Sequence, residues 1–150
     1  MIHIIIGKDA THVKREFIKL ATVIEDFTKA NLNDPPTCLW PEIENGMPVS
    51  NEAMMIAVLD LLIEGKKKKG IIATLHEIPV VMIQSMIRNK MIDPPAVEFS
   101  FADEHGREVI EHSMEGGFVF WPPVTWEDGF YLRFDNPVAD LPNFEKFQTL

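Results

Sequence analysis

The sequence predicts an α+β fold in one domain that spans 150 residues. The first observation is the opening segment Met1–Gly7, which is short, rich in β-branched residues and ends at a glycine, as a buried strand does. The second is a pair of segments whose apolar residues recur every three or four positions, which predicts amphipathic helices. In the final third, apolar and polar residues alternate between turn signals, and this pattern predicts β-hairpins.

A strand–helix unit is predicted over residues 1–31. Asp9 or Thr11 can cap its helix, because either side-chain oxygen can accept a hydrogen bond from a free N–H of the first turn. The connection Gly7-Lys8-Asp9 has no earlier glycine, so no nucleotide-binding loop is predicted there. The helix is predicted to run to about Ala30 and to bury Val13, Phe17, Leu20, Ala21, Ile24 and Phe27.

A proline-rich linker is predicted over residues 32–49, with Asn45-Gly46 as a turn and with Leu39 and Trp40 packed against the body as anchors. Ser50 then caps a second helix that runs to about Glu64 and stops at Gly65.

The central unit is predicted over residues 50–113, and its core is the segment Gly70–Ile92 behind the four lysines Lys66–Lys69. Apolar residues occupy the positions that two crossing helices and their turn require, at Ile72, Ala73, Ile78, Ile83 and Ile87. The segment resembles the helix-turn-helix superfamily over about twenty residues. With the hairpin predicted after it, the unit resembles a winged helix. The resemblance implies that the second helix enters the DNA major groove.

A different structure for the same segment stays open. Gly70–Leu75 also has the composition of a strand, which would form one layer with Met1–Gly7 and lead into a single helix at Pro79. Glu77 stands where helix-turn-helix turns usually carry glycine. The second helix opens on apolar residues, where DNA readers carry polar ones, at Val80, Val81 and Met82.

The C-terminal part begins after Asp93-Pro94-Pro95, which end the helical region. Ala96–Phe101 and Arg107–His112 are predicted to form a β-hairpin. Residues 114–150 are predicted to form aromatic-rich strands and a tail. The strands are expected at Phe118–Trp121 and Phe130–Phe134, and the tail from Pro137 is expected to pack through Leu141, Phe144 and Phe147.

The charge is unevenly distributed along the chain, whose net charge is −9. Residues 1–64 carry ten acids and five bases, for a net charge of −5. Residues 65–94 carry two acids and six bases, for a net charge of +4. Residues 95–150 carry eleven acids and three bases, for a net charge of −8. A local basic region can bind phosphate on an acidic protein, because charges more than about 10 Å away are screened by salt.

Two functions follow as hypotheses. The first is a DNA-binding regulatory protein of helix-turn-helix type, in which the lysine run contacts phosphates and the second helix contacts bases or phosphates. Its predicted nucleic-acid-binding residues are Lys66, Lys67, Lys68, Lys69, Gln84, Ser85, Arg88 and Lys90. The second is an acidic inhibitor or immunity-type protein that neutralises a basic partner, such as a nuclease or a nucleic-acid-handling enzyme. Its predicted binding residues are Asp103, Glu104, Glu108, Glu111 and Glu115, with exposed aromatic residues as anchors.

No catalytic residue, cofactor or metal site is predicted, and the chain is expected not to be an enzyme. His105 and His112 lie seven residues apart and do not match the close ligand spacing of common zinc sites. The single cysteine, Cys38, permits no internal disulfide and agrees with a reducing, cytoplasmic location. No membrane partner is expected, because the longest apolar runs are too short to cross a bilayer. Self-association into a homodimer stays open.

Overall fold

The structure is a computed structural model, which describes residues 1–24, 43–44, 47–48, 50–124 and 137–150. The helices are α1 (Ala10–Val23), α2 (Asn51–Glu64), α3 (Glu77–Arg88) and α4 (Phe144–Gln148), with 3-10 turns at Pro94–Ala96 and Pro137–Asp140. The strands are β1 (Ile2–Gly7), β2 (Ile43–Glu44), β3 (Met47–Pro48), β4 (Gly70–Thr74), β5 (Val97–Asp103) and β6 (Gly106–Ile110).

The main sheet has four strands in the order β4-β1-β5-β6. β1 is central and pairs in parallel with β4, where Ile2 lies opposite Gly70, and with β5, where Ile2 lies opposite Val97. β6 returns antiparallel along β5 after the turn Glu104-His105. The three parallel strands begin at one edge, called here the amino-terminal edge, and end at the opposite, carboxyl-terminal edge. β2 and β3 form a separate antiparallel pair.

Helices cover both faces of the sheet. On one face α1 packs its buried Val13 and Ala21 in a cluster with Ile5, Ile71 and Ala73. On the other face, α2, α3 and α4 close the larger core, which includes Ile4, Ile72, Phe99, Leu59, Ile83 and Phe147. Successive side chains of a strand point to opposite faces, so the consecutive isoleucines of β1 are buried on both sides.

Several local predictions are confirmed. The α+β class is confirmed by the helices and the mixed sheet. Asp9 caps α1 by accepting a hydrogen bond from the Thr11 N–H at 2.8 Å. Ser50 caps α2 through the Ala53 N–H at 3.1 Å, and Gly65 follows the helix as predicted. The helix α1 ends at Val23, because Ile24 has an extended backbone with φ −84° and ψ 113°, so the prediction that it runs on to about Ala30 is wrong at this point. Residues 25–30 lie outside the described residues.

The predicted first helix of the helix-turn-helix motif is wrong, because Gly70–Thr74 is strand β4. All five residues of this strand are buried. A short, wholly apolar run is compatible with a strand or a buried helix, and pairing with β1 decides between them. The alternative prediction, a strand beside Met1–Gly7, is therefore confirmed. Residues 70–92 thus form a β-α unit in place of two crossing helices, and Glu77 begins α3 instead of occupying a turn.

The C-terminal predictions have mixed outcomes. The hairpin is confirmed as β5 and β6. The predicted strand Phe118–Trp121 is wrong, because only an isolated bridge joins Phe118 to His112. The tail packs as predicted, with Leu141 and Phe147 buried and Phe144 partly buried. The predicted strand Phe130–Phe134 and the anchors Leu39 and Trp40 lie outside the described residues.

Within the described residues, no helix has the length and the apolar character needed to cross a lipid bilayer.

Candidate interaction surfaces

The predicted DNA contacts on α3 separate into two groups. Gln84 and Ser85 are buried, with exposed fractions of 7% and 1%, so the prediction that they contact DNA is wrong. The physical reason is that α3 is covered on most sides, by the sheet, by α2 and by a loop after β6. Ser85 accepts a hydrogen bond from the Asn89 side chain at 3.3 Å, at the end of the helix. Arg88 and Lys90 are exposed, as a phosphate contact requires.

A basic corner forms where α2 and α3 both end at the amino-terminal edge of the sheet. It consists of the lysine run after α2 and the two basic residues at the end of α3, which are Lys66, Lys67, Lys68, Lys69, Arg88 and Lys90. All are exposed except Lys67, which is half-buried with its Nζ 4.2 Å from the centre of the Phe147 ring. The structure therefore brings together six of the eight residues that were predicted to bind nucleic acid.

Three of these lysines have an unusual backbone. Lys66, Lys67 and Lys90 have φ angles of +54°, +59° and +59°, and they are the non-glycine residues with positive φ in the described part of the chain. This conformation costs a residue with a Cβ roughly 1–2 kcal/mol. A cation near a helix C-terminus regains only about 0.3–1 kcal/mol from the helix dipole. The protein would thus be more stable with glycine at these positions. The presence of lysine there indicates that its charge serves binding and not stability.

The lysine turn leads into a cavity of about 630 Å³ at the amino-terminal edge. Its basic lining residues, called here the rim, are Lys66, Lys67 and Lys68. Asp93 contributes a carboxylate to the lining. The remaining lining residues have apolar side chains, called here the floor, and are Met91, Ile92, Ala96 and Leu150.

A second surface, called here the acidic aromatic face, lies on β6 and the loop that follows it. Residues 108–121 contain three glutamates and no lysine or arginine. Phe120, Met114 and Trp121 are 79%, 71% and 64% exposed. This name covers the exposed residues around β6 and its loop, with Glu108 on the opposite side of the strand from Val109: Glu108, Val109, Glu111, Met114, Glu115, Val119, Phe120 and Trp121.

The loop of this face is held in a fixed conformation. The Ser113 hydroxyl accepts hydrogen bonds from the N–H groups of Glu115 at 3.3 Å and Gly117 at 3.2 Å. The Ser113 N–H donates to the Gly117 carbonyl at 2.8 Å. Gln84 Nε2 donates to the Gly116 carbonyl at 3.0 Å, across 32 positions of the chain. Gln84, predicted to contact DNA, therefore anchors the acidic loop.

Aromatic contacts connect the face to the core. The Phe118 ring packs edge to face on the buried Phe99, with centroids 4.9 Å apart, and on Trp121, with centroids 5.2 Å apart. His112 also packs on Phe99, and its Nε2 donates to the Pro94 carbonyl at 2.9 Å. The sequence signal for this face was the aromatic run at 118–121, whose apolar character suggested a strand although two of its rings are exposed.

The predicted acidic binding residues have different environments. Glu108, Glu111 and Glu115 are exposed on the acidic aromatic face. Asp103 and Glu104 lie at the far tip of the hairpin instead. The Asp103 carboxylate accepts from the His105 N–H at 2.8 Å, and its carbonyl accepts from the Arg15 guanidinium. The Asp103 carboxylate therefore already accepts a hydrogen bond within the hairpin turn.

A charge network lies on the sheet between the two surfaces. Glu98 on β5 accepts hydrogen bonds from Arg107 Nη1 at 2.7 Å and pairs with His3 Nδ1 at 3.1 Å. Burial raises the pKa of Glu98, but the hydrogen bonds from Arg107 and His3 outweigh burial and hold the pKa below its ordinary value. Glu98 is therefore a charged, paired carboxylate.

The carboxyl-terminal edge has the geometry that often binds ligands, because β1 and β4 are neighbours and are followed by helices on opposite faces. Here both helix N-termini are capped by the chain itself. The Thr11 N–H lowers the pKa of the Asp9 carboxyl that caps α1. His76 Nδ1 accepts from the Ile78 N–H at 3.2 Å at the start of α3, and burial lowers the pKa of His76. The Asp9 carboxylate occupies the place that a phosphate would take.

The described residues contain no group of three His, Cys, Asp or Glu side chains arranged to hold a metal ion. Comparisons with known proteins identified no relative: no family model, no curated protein sequence and no solved structure matches the chain. A functional proposal therefore depends on the geometry of the two surfaces.

Proposed function

We propose that the chain is a binding protein whose acidic aromatic face docks on a basic protein partner. The observation that carries this proposal is the exposure of Phe120 and Trp121, at 79% and 64%, shortly after the loop that carries Glu111 and Glu115. Large aromatic rings exposed together on a rigid surface typify the central residues of protein interfaces.

The energetics favour a protein partner over a nucleic acid on this face. Burial of a Phe or Trp side chain stabilises a complex by about 1.5–3 kcal/mol. The three glutamates repel phosphates and attract lysine or arginine of a partner.

The fixed loop reduces the cost of binding. Ordering a mobile side chain at an interface costs about 0.5–1.5 kcal/mol. The loop 113–117 is already ordered by its own hydrogen bonds and by Gln84. Little further ordering of residues 113–117 is needed when a partner docks beside them.

Photo-crosslinking tests the proposal. Phe120 is replaced by p-benzoylphenylalanine in cells that express the full chain, and the captured proteins are identified by mass spectrometry. Ile18 on α1, which is 55% exposed, carries the same probe in the control. We expect a basic protein to be captured at position 120 and not at position 18. The same set of proteins at both positions would contradict the proposal.

Charge reversal checks whether the glutamates select the partner. Glu108→Lys, Glu111→Lys and Glu115→Lys together should abolish capture by the probe at position 120, while the matched Glu→Gln variant should weaken it. Capture that persists in the lysine variant would show that charge does not define the partner. Capture of a second copy of the chain would identify self-association instead.

A second candidate function is binding to the phosphate backbone of DNA through the basic corner. It is supported by the convergence of Lys66–Lys69 with Arg88 and Lys90 at one edge. Because Gln84 and Ser85 are buried, this candidate includes no base recognition by them. Retention of DNA at about 50 mM salt should be lost when Lys66 to Lys69 become alanine, and kept when Lys8 and Lys14 do. A parent protein that does not shift DNA at low salt removes this candidate.

Both candidates are non-enzymatic binding functions, and we place them in the cytoplasm. The support for that location is the single cysteine, which agrees with a reducing compartment.

A further inference from the structure

We propose that the cavity of the basic corner is a binding site for a small organic anion, with a phosphate or clustered carboxylate head and an apolar body. The cavity of about 630 Å³ is within the range of ligand pockets in proteins, about 300–1,000 Å³. This site is separate from the acidic aromatic face, and it is independent of the partner proposed for that face.

The rim determines the sign of the ligand's charge. Lys66, Lys67 and Lys68 bring three basic side chains to the lining, and Asp93 brings one acidic side chain. Arg88 is the last residue of α3, and Lys90 follows its cap directly before Met91 and Ile92 of the same lining. A compact, multiply charged head complements this arrangement, because several cations can contact it at once.

The arrangement of Lys67 favours a head near the rim. Its Nζ lies over the Phe147 ring, so the side chain is not extended into solvent. Lys66 and Lys68 are exposed and can turn towards a bound head. The charge of Lys67 then supports the head from a fixed position, while its neighbours donate hydrogen bonds.

The apolar lining residues determine the chemistry of the ligand's body, the part beyond its anionic head. Met91, Ile92 and Ala96 are apolar residues of the cavity lining. Methionine side chains adapt to ligands of different shape. An apolar ring or short chain attached to the anionic head would be removed from water there. A polymer backbone contacts the lysine tips from outside and has no need of this floor, which favours a small ligand.

Calorimetric titration of the full chain tests the site with three probes. 1-Naphthyl phosphate carries both the head and the body, inorganic pyrophosphate carries the head alone, and 1-naphthol carries the body alone. We expect 1-naphthyl phosphate to bind at least about fivefold more tightly than either of the others, because only it can contact rim and floor together.

Three variants locate the binding. Lys66→Gln with Lys68→Gln should weaken 1-naphthyl phosphate at least about tenfold, while the charge-matched control Lys8→Gln with Lys14→Gln should leave it unchanged. Asp93→Asn should tighten it roughly two- to fourfold, because a repulsive charge is removed. The Asp93 side chain makes no capping hydrogen bond, so this change preserves the turn.

A larger side chain at position 96 tests whether the ligand enters the cavity or binds only to the basic residues around it. Ala96→Phe should weaken 1-naphthyl phosphate at least about fivefold and leave pyrophosphate unchanged. The smaller Ala96→Val gives the same test if phenylalanine disturbs the fold.

Three results would overturn the proposal. They are no binding of 1-naphthyl phosphate at millimolar concentration, equal binding of pyrophosphate and 1-naphthyl phosphate, or no effect of the Lys66 and Lys68 changes. Binding of a DNA duplex that 1-naphthyl phosphate does not displace would assign the basic corner to nucleic acid instead.

Discussion

The basic corner and the acidic aromatic face both lie at the amino-terminal edge of the sheet. Lys66–Lys69 lead into β4 and the acidic loop follows β6, and these outer strands are about 14 Å apart. The loop itself reaches α3, where Gly116 lies against Gln84 and Ile87, next in sequence to Arg88 of the basic corner. One region carries its charge on long lysine side chains around a cavity, and the other on a hydrogen-bonded loop with exposed rings. The net charge of −9 therefore conceals two surfaces of opposite sign.

The two regions also differ in which residue types adopt a positive φ angle. The basic corner places lysines at positive φ, where glycine is more stable. In the acidic loop, the residue with a positive φ is a glycine, Gly116, at +84°. The difference indicates that the side chain matters at the first site and close packing matters at the second.

The largest effect is expected from Gly116→Ala in the acidic loop. A Cβ at this position would lie 2.9 Å from the Gln84 carbonyl oxygen and 3.1 Å from its Cα, both backbone atoms of α3. Overpacking and the positive φ together should lower the free energy of unfolding by about 2–4 kcal/mol. Gly117→Ala is the matched control, because its Cβ would meet only the Ser113 Oγ at 3.6 Å. Equal stability of the two variants in urea denaturation would show that the loop is not held against α3.

An opposite effect is expected in the basic corner. Lys66→Gly and Lys90→Gly should each raise the free energy of unfolding by about 0.5–1 kcal/mol, because they relieve a left-handed backbone. Lys69→Gly, without a positive φ, should instead be neutral or destabilising. Denaturation at fixed salt measures all three. Loss of stability in Lys66→Gly would mean that the lysine charge itself stabilises the end of α2.

The smallest effect concerns Glu98, which is paired between the two regions. Because its folded pKa is lowered, the stability it contributes is present above its ordinary pKa of about 4.5 and is lost as the pH falls through the folded pKa. Glu98→Gln should cost about 1 kcal/mol near pH 7, and the difference from the parent should shrink as the pH falls below the ordinary pKa of a glutamate. The exposed Glu108→Gln is the control. A Glu98→Gln difference that is constant with pH would remove the pairing as its cause.

The caps, the helix α2 and the hairpin could be predicted because their signals are local. Ser50 bonds a residue three positions away, and the hairpin turn is two residues long. The environment of Gln84 could not be predicted, because its partner lies 32 positions away. Periodicity places Gln84 on a helix, but it does not show which loop covers that side of the helix.

The sequence by itself determined the α+β class, the uneven charge and the cap positions, because each depends on composition or on neighbours within one turn. Only the tertiary structure decided that Gly70–Thr74 is a strand, because five buried apolar residues suit either element until β1 supplies backbone partners. The same parallel pairing brings the ends of α2 and α3 to one edge. The basic corner and its cavity exist because of that pairing, which no local pattern in the chain specifies.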